Sequence, residues 1–266
     1  MLYYRTFEHN DSTIWVTFIH GAGGSSSVWF KQLKEFKKHF NVLLIDLRGH
    51  GKSQKGTWKK GDTFDQVSEE VVKVLNHLSI KKTHFIGISL GTIVIQTIAR
   101  KHPERIHSMV LGGAIIKLNL RTNFLLAIGK LGRFILPYMM LYRLFAWIIM
   151  PKSNHLESRS AFVEQAKKMC QKEFIRWFNL TRSINPYLRK LQADFFQIPT
   201  LFIMGREDYL FLPGVENLVS KNENLHLVTI EDAGHVCNID QPDHFNNHTI
   251  EFLQNVPERY INKLNA

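Results

Sequence analysis

The chain has 266 residues, which is long enough for one large α/β domain or for a domain that carries an insertion. Apolar residues make up 44% and charged residues 21%, an ordinary composition for a globular protein. The formal net charge is +11, but the lysines occur as scattered pairs and no basic stripe interleaves aromatic residues, so nucleic acid is excluded as an expected partner.

Short apolar runs alternate with amphipathic runs along most of the chain. Seven apolar runs predict strands: Tyr3–Phe7, Thr13–Ile19, Val42–Asp46, Thr83–Ile88, Ser108–Gly112, Thr200–Met204 and His226–Ile230. Five amphipathic runs predict helices: Ser27–His39, Phe64–Leu78, Leu90–His102, Val215–Ser220 and Asp243–Val256. This alternation predicts a mostly parallel central sheet with helices on both faces.

The alternation stops between Gly113 and Pro199, where only helical periodicity is visible. Phe124–Pro151 is the most apolar part of this block, but Arg133 and Arg143 interrupt it before an uncharged run reaches the length that spans a bilayer. We therefore expect a bundle of short helices, continued by two further helical runs, and no stable membrane insertion. The two runs are Ser158–Cys170 and Lys172–Ser183.

This helical block is predicted to be a cap, or lid, inserted into the core domain. We assign residues 117–185 to the cap and residues 1–116 and 186–266 to the core. Because open α/β sheets bind ligands at the carboxyl edge of their strands, the cap is expected to cover that edge. Its apolar surface also allows a homodimer formed through the cap.

The segment His84–Gln96 begins as a strand and continues as a helix, with Gly87-Ile88-Ser89-Leu90-Gly91 between the two. A strand that leads directly into a helix puts Ser89 in a strained conformation, and the glycines allow the close packing around it. The serine hydroxyl then lies on an exposed tip beside the N–H groups that open a helix, an arrangement called the nucleophile elbow. The pattern Gly-x-Ser-x-Gly also arises by chance in an ordinary strand–helix turn, so the other motifs of the chain must show whether Ser89 is a nucleophile.

A serine nucleophile needs a base, a group that orients the base, and donors for the oxyanion. The loop His20–Gly24 follows a predicted strand, and the Ala22 N–H and Leu90 N–H are the predicted oxyanion donors. Asp208 follows another strand, and His235 lies on the loop before the last helix. Each of these side chains therefore comes just after a strand, at the same predicted edge of the sheet.

The chain resembles the α/β-hydrolase superfamily, and in particular serine esterases with a helical cap. The resemblance rests on HGAGG, DLRGHGKS, GISLG, MGRED and AGH, and on the chain order Ser89, Asp208, His235. It covers the chain apart from the cap, and small bacterial esterases and carbon–carbon bond hydrolases look most similar. Only one short strand precedes WVTFIHG, so the first strand of the usual eight-stranded sheet is expected to be missing.

The resemblance implies that Asp208, rather than Asp232 or Glu207, orients His235 as the catalytic base. His20 and His50 are then expected to shape the oxyanion loop and the mouth of the site. The chain has no phosphate-binding glycine loop and no metal-ligand cluster, so we expect neither a cofactor nor a metal.

The predicted function is hydrolysis of carboxylic esters with small to medium apolar acyl groups, by a Ser-His-Asp triad through an acyl-enzyme. The same triad also serves thioesterases and carbon–carbon bond hydrolases, and some hydrolase-like proteins act as ligand receptors or stress-signalling partners. These alternatives stay open at this point.

The cap is expected to set the acyl-chain preference, because it holds more large apolar side chains than one helix stripe requires. These are Leu125, Leu126, Ile128, Phe134, Ile135, Met139, Met140, Leu144, Phe145 and Trp147.

The expected location is the cytoplasm. The N-terminus lacks the basic-then-apolar pattern of a secretory signal. Cys170 and Cys237, which are far apart and have no metal-ligand spacing, suggest a reducing compartment.

Overall fold

The structure is a computed structural model that describes residues 1–54, 58–119, 122–125, 127–128, 136–181, 184–192, 198–222 and 225–256. Within these residues, seven strands form one sheet in the order β1-β3-β2-β4-β5-β6-β7. The strands are β1 (Tyr4–Phe7), β2 (Trp15–Ile19), β3 (Asn41–Ile45), β4 (Thr83–Ile88), β5 (Ile106–Gly112), β6 (Thr200–Gly205) and β7 (Leu225–Ile230). β1 pairs antiparallel with β3, and every other pair is parallel.

The central strands are buried along their whole length, because helices cover both faces of the sheet. All residues of β3, β4 and β6 are buried, and these strands read as continuous apolar runs, as is typical of parallel sheets. Successive side chains of β4 serve opposite faces, with Phe85 in one core cluster and Ile86 in the other.

The register brings the carboxyl ends of the central strands to one level. Ile19 at the end of β2 pairs with Gly87 of β4, and Ile88 at the end of β4 pairs with Gly112 of β5. Gly112 also pairs with Ile203 of β6. The loops that follow β2, β4, β5 and β6 therefore meet at one edge of the sheet, where the predicted site residues lie.

Ten α-helices have defined bounds in the described part of the chain, and residues 122–125 are also helical. The ten helices are α1 (Phe30–Phe36), α2 (Phe64–His77), α3 (Leu90–Lys101), α4 (Tyr138–Ile149), α5 (Leu156–Ala166), α6 (Gln171–Thr181), α7 (Ile184–Gln192), α8 (Leu212–Val219), α9 (Cys237–Asp240) and α10 (Pro242–Gln254). The apolar sides of α2, α3 and α8 share one core cluster, and those of α1 and α10 share the other. The predicted α/β fold class, with a mostly parallel sheet between two helical layers, is confirmed.

The predicted boundaries differ from the observed ones by a few residues at the ends. The predicted helix Ser27–His39 begins as a 3₁₀ turn, and α1 ends at Phe36. The predicted helix Val215–Ser220 begins earlier, at Leu212, because Pro213 occupies a first-turn position where its missing N–H is no loss.

Helices α4 to α7 lie between β5 and β6, and the described residues of this block contain no strand. The two helices predicted in the second half of this block are found as α5, which ends at Ala166 instead of Cys170, and α6, whose predicted last two residues lie outside the described residues. Leu126, Phe134 and Ile135 of the predicted acyl-contact set lie outside the described residues. Among the described helices, none has both the length and the apolar character needed to cross a bilayer.

Candidate active site

Ser89 occupies a strained turn between β4 and α3. Its backbone has φ 55° and ψ −120°, a left-handed conformation that a residue with a side chain rarely adopts. The Ser89 N–H donates to Gly112 O at 3.0 Å, which ties the turn to β5. Ser89 is partly exposed although the strand before it is buried, so the backbone strain holds its hydroxyl at the sheet edge.

The two glycines near Ser89 allow close packing between β4, α3 and β2. A Cβ at Gly91 would lie 2.3 Å from Ile19 O, on the neighbouring strand β2. A Cβ at Gly87 would lie 2.5 Å from Ile95 Cδ1 of α3. The first helical turn of α3 is therefore packed directly against β2 and the loop that follows it.

The structure brings Ser89, His235 and Asp208 into one hydrogen-bonded row. His235 Nε2 lies 2.8 Å from Ser89 Oγ, and His235 Nδ1 lies 2.8 Å from Asp208 Oδ2. Because a carboxylate only accepts, Nδ1 carries the ring proton and Nε2 is the acceptor that faces the serine hydroxyl. Asp208 is 1% exposed and its Oδ1 accepts the Phe211 N–H, so the carboxylate is fixed on both oxygens. This geometry allows His235 to take a proton from Ser89.

The loop that carries Ala22 is held by two neutral histidines. His20 Nδ1 donates to Gly21 O at 2.7 Å, and His20 Nε2 accepts the Leu47 N–H at 3.0 Å. Burial lowers the pKa of His20. The pKa of His50 is lowered well below its usual value, mainly by burial and also by the nearby His20 ring. Both rings are therefore neutral at neutral pH and can accept a hydrogen bond.

The peptide between Gly21 and Ala22 is oriented through its carbonyl. Gly21 O accepts both His20 Nδ1–H and the Gly24 N–H, and in a trans peptide the N–H points the opposite way. That N–H belongs to Ala22, and within the described residues neither it nor the Leu90 N–H donates to another group. The two predicted oxyanion donors are thus free.

The next peptide, between Ala22 and Gly23, is held at both of its polar groups. The Gly23 N–H donates to His50 Nε2 at 2.9 Å, and the Tyr142 hydroxyl of α4 donates to Ala22 O at 2.7 Å. Tyr142 is missing from the sequence prediction, because it lies in an apolar cap segment without any motif. The sequence of a helical block does not show which of its side chains contacts the loop His20–Gly24.

The alternative acids are placed differently from Asp208. Glu207 accepts hydrogen bonds from Lys152 Nζ at 2.5 Å and Asn154 Nδ2 at 2.9 Å, so it joins the loop after β6 to the segment between α4 and α5. Asp232 is exposed, and its side chain makes no hydrogen bond to His235 in the described structure.

Cys237 is buried, which raises the pKa of its thiol well above the usual range. Among the residues that the structure describes, no cluster of metal-ligating side chains is present.

A cavity of about 180 Å³ opens onto Ser89 and His235. Its described walls are almost entirely apolar and contain no Lys, Arg, Asp or Glu side chain. Of the predicted acyl-contact residues, Leu125 and Phe145 line it. Four others are at least 39% exposed: Ile128, Met140, Leu144 and Trp147.

The sheet is mostly parallel and has helices on both faces, and a serine at a strand–helix elbow faces a histidine that follows the last strand. These features define the class of α/β hydrolytic enzymes. The chain belongs to the α/β-hydrolase fold family, since a family model with that description matches residues 14–242. The predicted family is thereby confirmed.

Several relatives and structures that match almost the whole chain carry the names of hydrolytic enzymes. The putative carbamate hydrolase RutD of Acinetobacter baylyi is 27% identical over 266 aligned residues, covering 94% of this chain and 97% of that protein. The 3-oxoadipate enol-lactonase 2 of the same species is 23% identical, covering 94% of this chain and 91% of that protein. The crystal structure of an enol-lactonase from Burkholderia xenovorans has a TM-score of 0.78 at 21% identity, covering 95% of this chain and 96% of that chain, and shares the fold. These findings support hydrolytic activity.

Proposed function

We propose that the protein is a serine hydrolase that cleaves carboxylic esters with small to medium apolar acyl groups. One observation carries the proposal: Ser89 Oγ, hydrogen-bonded to His235, faces an apolar cavity beside two free N–H groups. An acyl carbonyl placed there meets a nucleophile, a base and oxyanion donors at once.

In this mechanism, His235 Nε2 takes the proton of Ser89 as its Oγ attacks the ester carbonyl. Asp208 keeps the imidazole in the required tautomer and stabilises its cationic form. The protonated His235 then gives its proton to the leaving alcohol oxygen, which releases the alcohol and leaves an acyl-enzyme. Water, deprotonated by the same histidine, attacks the acyl group and restores Ser89.

The Ala22 and Leu90 N–H groups stabilise the oxyanion of each tetrahedral intermediate. The orientation of the Ala22 N–H is set before substrate arrives, because Gly21 O is held by His20 and Gly24, and Leu90 is the first residue of helix α3. Losing one such donor costs about 10²–10³-fold in kcat in a well-studied serine protease.

The cavity favours uncharged acyl groups. A substrate carboxylate buried among these walls would lose its hydration and find no cationic partner among the described lining residues. The names of the relatives point to cleavage of an acyl–heteroatom bond: one is called a carbamate hydrolase, and another an enol-lactonase, an enol-lactone being a cyclic ester. The uncharged cavity walls and the names of these relatives both support ester hydrolysis over carbon–carbon bond cleavage.

The test is a panel of matched substrates with the purified protein. We expect kcat/KM for uncharged short-chain esters to exceed that for the corresponding thioesters, for dicarboxylic half-esters and for meta-cleavage-type diketones. Faster cleavage of the diketones would contradict the proposal and favour a carbon–carbon bond hydrolase. Binding of the esters without turnover would instead favour a receptor.

Phe145 is expected to limit the length of the acyl chain that the cavity accepts. Each methylene that the cavity buries should add up to ~0.8 kcal/mol of transition-state binding, about fourfold in kcat/KM, until the cavity is full. In Phe145→Ala the maximum should move to a longer acyl chain, measured with p-nitrophenyl esters from acetate to dodecanoate. The matched control is Met140→Ala, because Met140 lies on the same helix but is 53% exposed. An unchanged profile in Phe145→Ala would show that the cap does not contact the acyl chain.

Tyr142 is expected to support the oxyanion loop through its hydroxyl. In Tyr142→Phe the ring packing is retained but Ala22 O loses its donor, so kcat should fall roughly tenfold with a smaller change in KM. Tyr138→Phe is the matched control, since the Tyr138 hydroxyl lies on the same helix but donates to Met169 O and not to a carbonyl of the oxyanion loop. Equal kinetics for the two variants would exclude this role for Tyr142.

A further inference from the structure

Helix α4 is apolar on two opposite sides. Its inner side lines the cavity with Tyr142 and Phe145. Its outer side exposes Met140 by 53%, Leu144 by 39% and Trp147 by 58%. These three side chains follow each other at intervals of four and three residues, so they share one helix face. Core packing explains the inner side of α4 but not this outer face.

The sequence around α4 carries charge of only one sign. Residues 117–156 contain six Lys and Arg residues and no Asp or Glu, although the whole chain has 23 acidic residues against 34 basic ones. Arg143 is exposed and lies between Met140 and Leu144 on the outer side of α4. An exposed apolar face that contains a tryptophan and only positive charge is typical of segments that lie in the headgroup region of a bilayer.

We propose that the outer face of the cap, defined by Met140, Arg143, Leu144 and Trp147, is a docking surface for an anionic lipid bilayer. Met140, Leu144 and Trp147 enter the boundary between headgroups and acyl chains, and Arg143 pairs with lipid phosphates. The helix has 12 residues, so it lies in the interface and does not span the membrane.

Charge favours a bilayer over a second copy of the chain as the occupant of this face. A two-fold symmetric dimer would bring the same patch of both copies together. Arg143 would then approach its own counterpart, and residues 117–156 offer no carboxylate to separate the charges. On the adjacent helix α5, Glu157 and Glu164 already pair with Lys31 and Lys167. Anionic headgroups supply that counter-charge on every side.

Docking would also place the cavity close to the lipid. An α-helix is about 10–12 Å across with its side chains, and α4 lies between the cavity and the exposed face. An apolar molecule dissolved in the bilayer would therefore be about one helix diameter from the cavity that Ser89 lines. Docking itself does not depend on the chemistry of Ser89, so it is tested without any enzyme assay.

The experiment measures co-sedimentation of the full chain with vesicles of phosphatidylcholine alone and of equimolar phosphatidylcholine and phosphatidylglycerol. We expect binding to the anionic vesicles, weaker binding to the neutral ones, and a decrease with added salt. The tryptophan emission should shift to shorter wavelength with anionic vesicles, and Trp147→Phe should remove this shift. No sedimentation with anionic vesicles at low salt would overturn the proposal.

Substitutions on the outer face distinguish binding through this surface from non-specific attraction of a basic protein to anionic vesicles. Leu144→Ser and Trp147→Ser should each lower the partition coefficient about tenfold, and Arg143→Gln about fivefold. The matched control is Phe30→Ser, because Phe30 is 56% exposed but lies on α1 of the core. Circular dichroism of each variant checks that it is folded. An equal loss of vesicle binding in Phe30→Ser and Trp147→Ser would contradict the proposal. It would also be contradicted if the native protein did not bind vesicles but formed a dimer that Trp147→Ser dissociates.

Discussion

Replacing Ser89 by alanine is expected to abolish turnover, with a loss of about 10⁶-fold in kcat if the row acts as other serine triads do. The reason is that no acyl-enzyme can form without the hydroxyl that His235 Nε2 faces at 2.8 Å. A sulfonyl fluoride or phosphonate should label the native protein at one site, found by mass spectrometry on the peptide that carries Ser89. The alanine variant should not be labelled.

The chain offers a matched control, because it contains a second serine beside a histidine. Ser108 Oγ lies 2.7 Å from His84 Nδ1, but Ser108 is fully buried on β5 and is not part of the cavity. Ser108→Ala should therefore keep kcat/KM close to that of the native protein. Labelling on Cys237, or activity that survives in Ser89→Ala, would show that the nucleophile is misassigned.

The core could be predicted from the sequence because its signals are local. Each strand of a covered parallel sheet is a continuous apolar run, and each predicted site residue follows such a run within a few positions. The glycines around Ser89 report contacts that are fixed by the backbone, such as the approach of Gly91 to Ile19 O. The carboxyl ends of parallel strands meet at one edge, so placing the residues after strands also placed them together.

The helical block between β5 and β6 could not be predicted to the same depth. Its helices were visible, but α4 is apolar on nearly all sides, so helical periodicity could not show which side faces the cavity. Phe145 was indistinguishable in the sequence from Leu144, although the first lines the cavity and the second is exposed. The contact of Tyr142 with Ala22 joins residues 120 positions apart, and only the packed structure shows it.

The choice of Asp208 as the orienting acid depended on the family resemblance more than any other site prediction did. Its substitution is the second change for which we expect a large effect. Asp208→Asn should lower kcat about 10⁴-fold, as the equivalent change does in a well-studied serine triad. The amide can still accept the Phe211 N–H through its oxygen, so the loop should keep its shape. What is lost is the negative charge that holds His235 in the productive tautomer and stabilises its cation. The measurement is kcat with a short p-nitrophenyl ester, with thermal unfolding as the check on folding.

Asp232→Asn is the matched control for charge, since it removes a carboxylate only three residues from His235 in the chain. Asp232 has φ 53°, a left-handed conformation that asparagine also tolerates, so the substitution should leave the backbone in place. Its side chain is exposed and makes no hydrogen bond to His235 in the described structure, so its charge is screened by solvent and kcat should change little. If Asp232→Asn instead lost more activity than Asp208→Asn, with both variants folded, Asp232 would be the orienting acid. The 2.8 Å contact between Asp208 and His235 would then be a structural hydrogen bond that catalysis does not require.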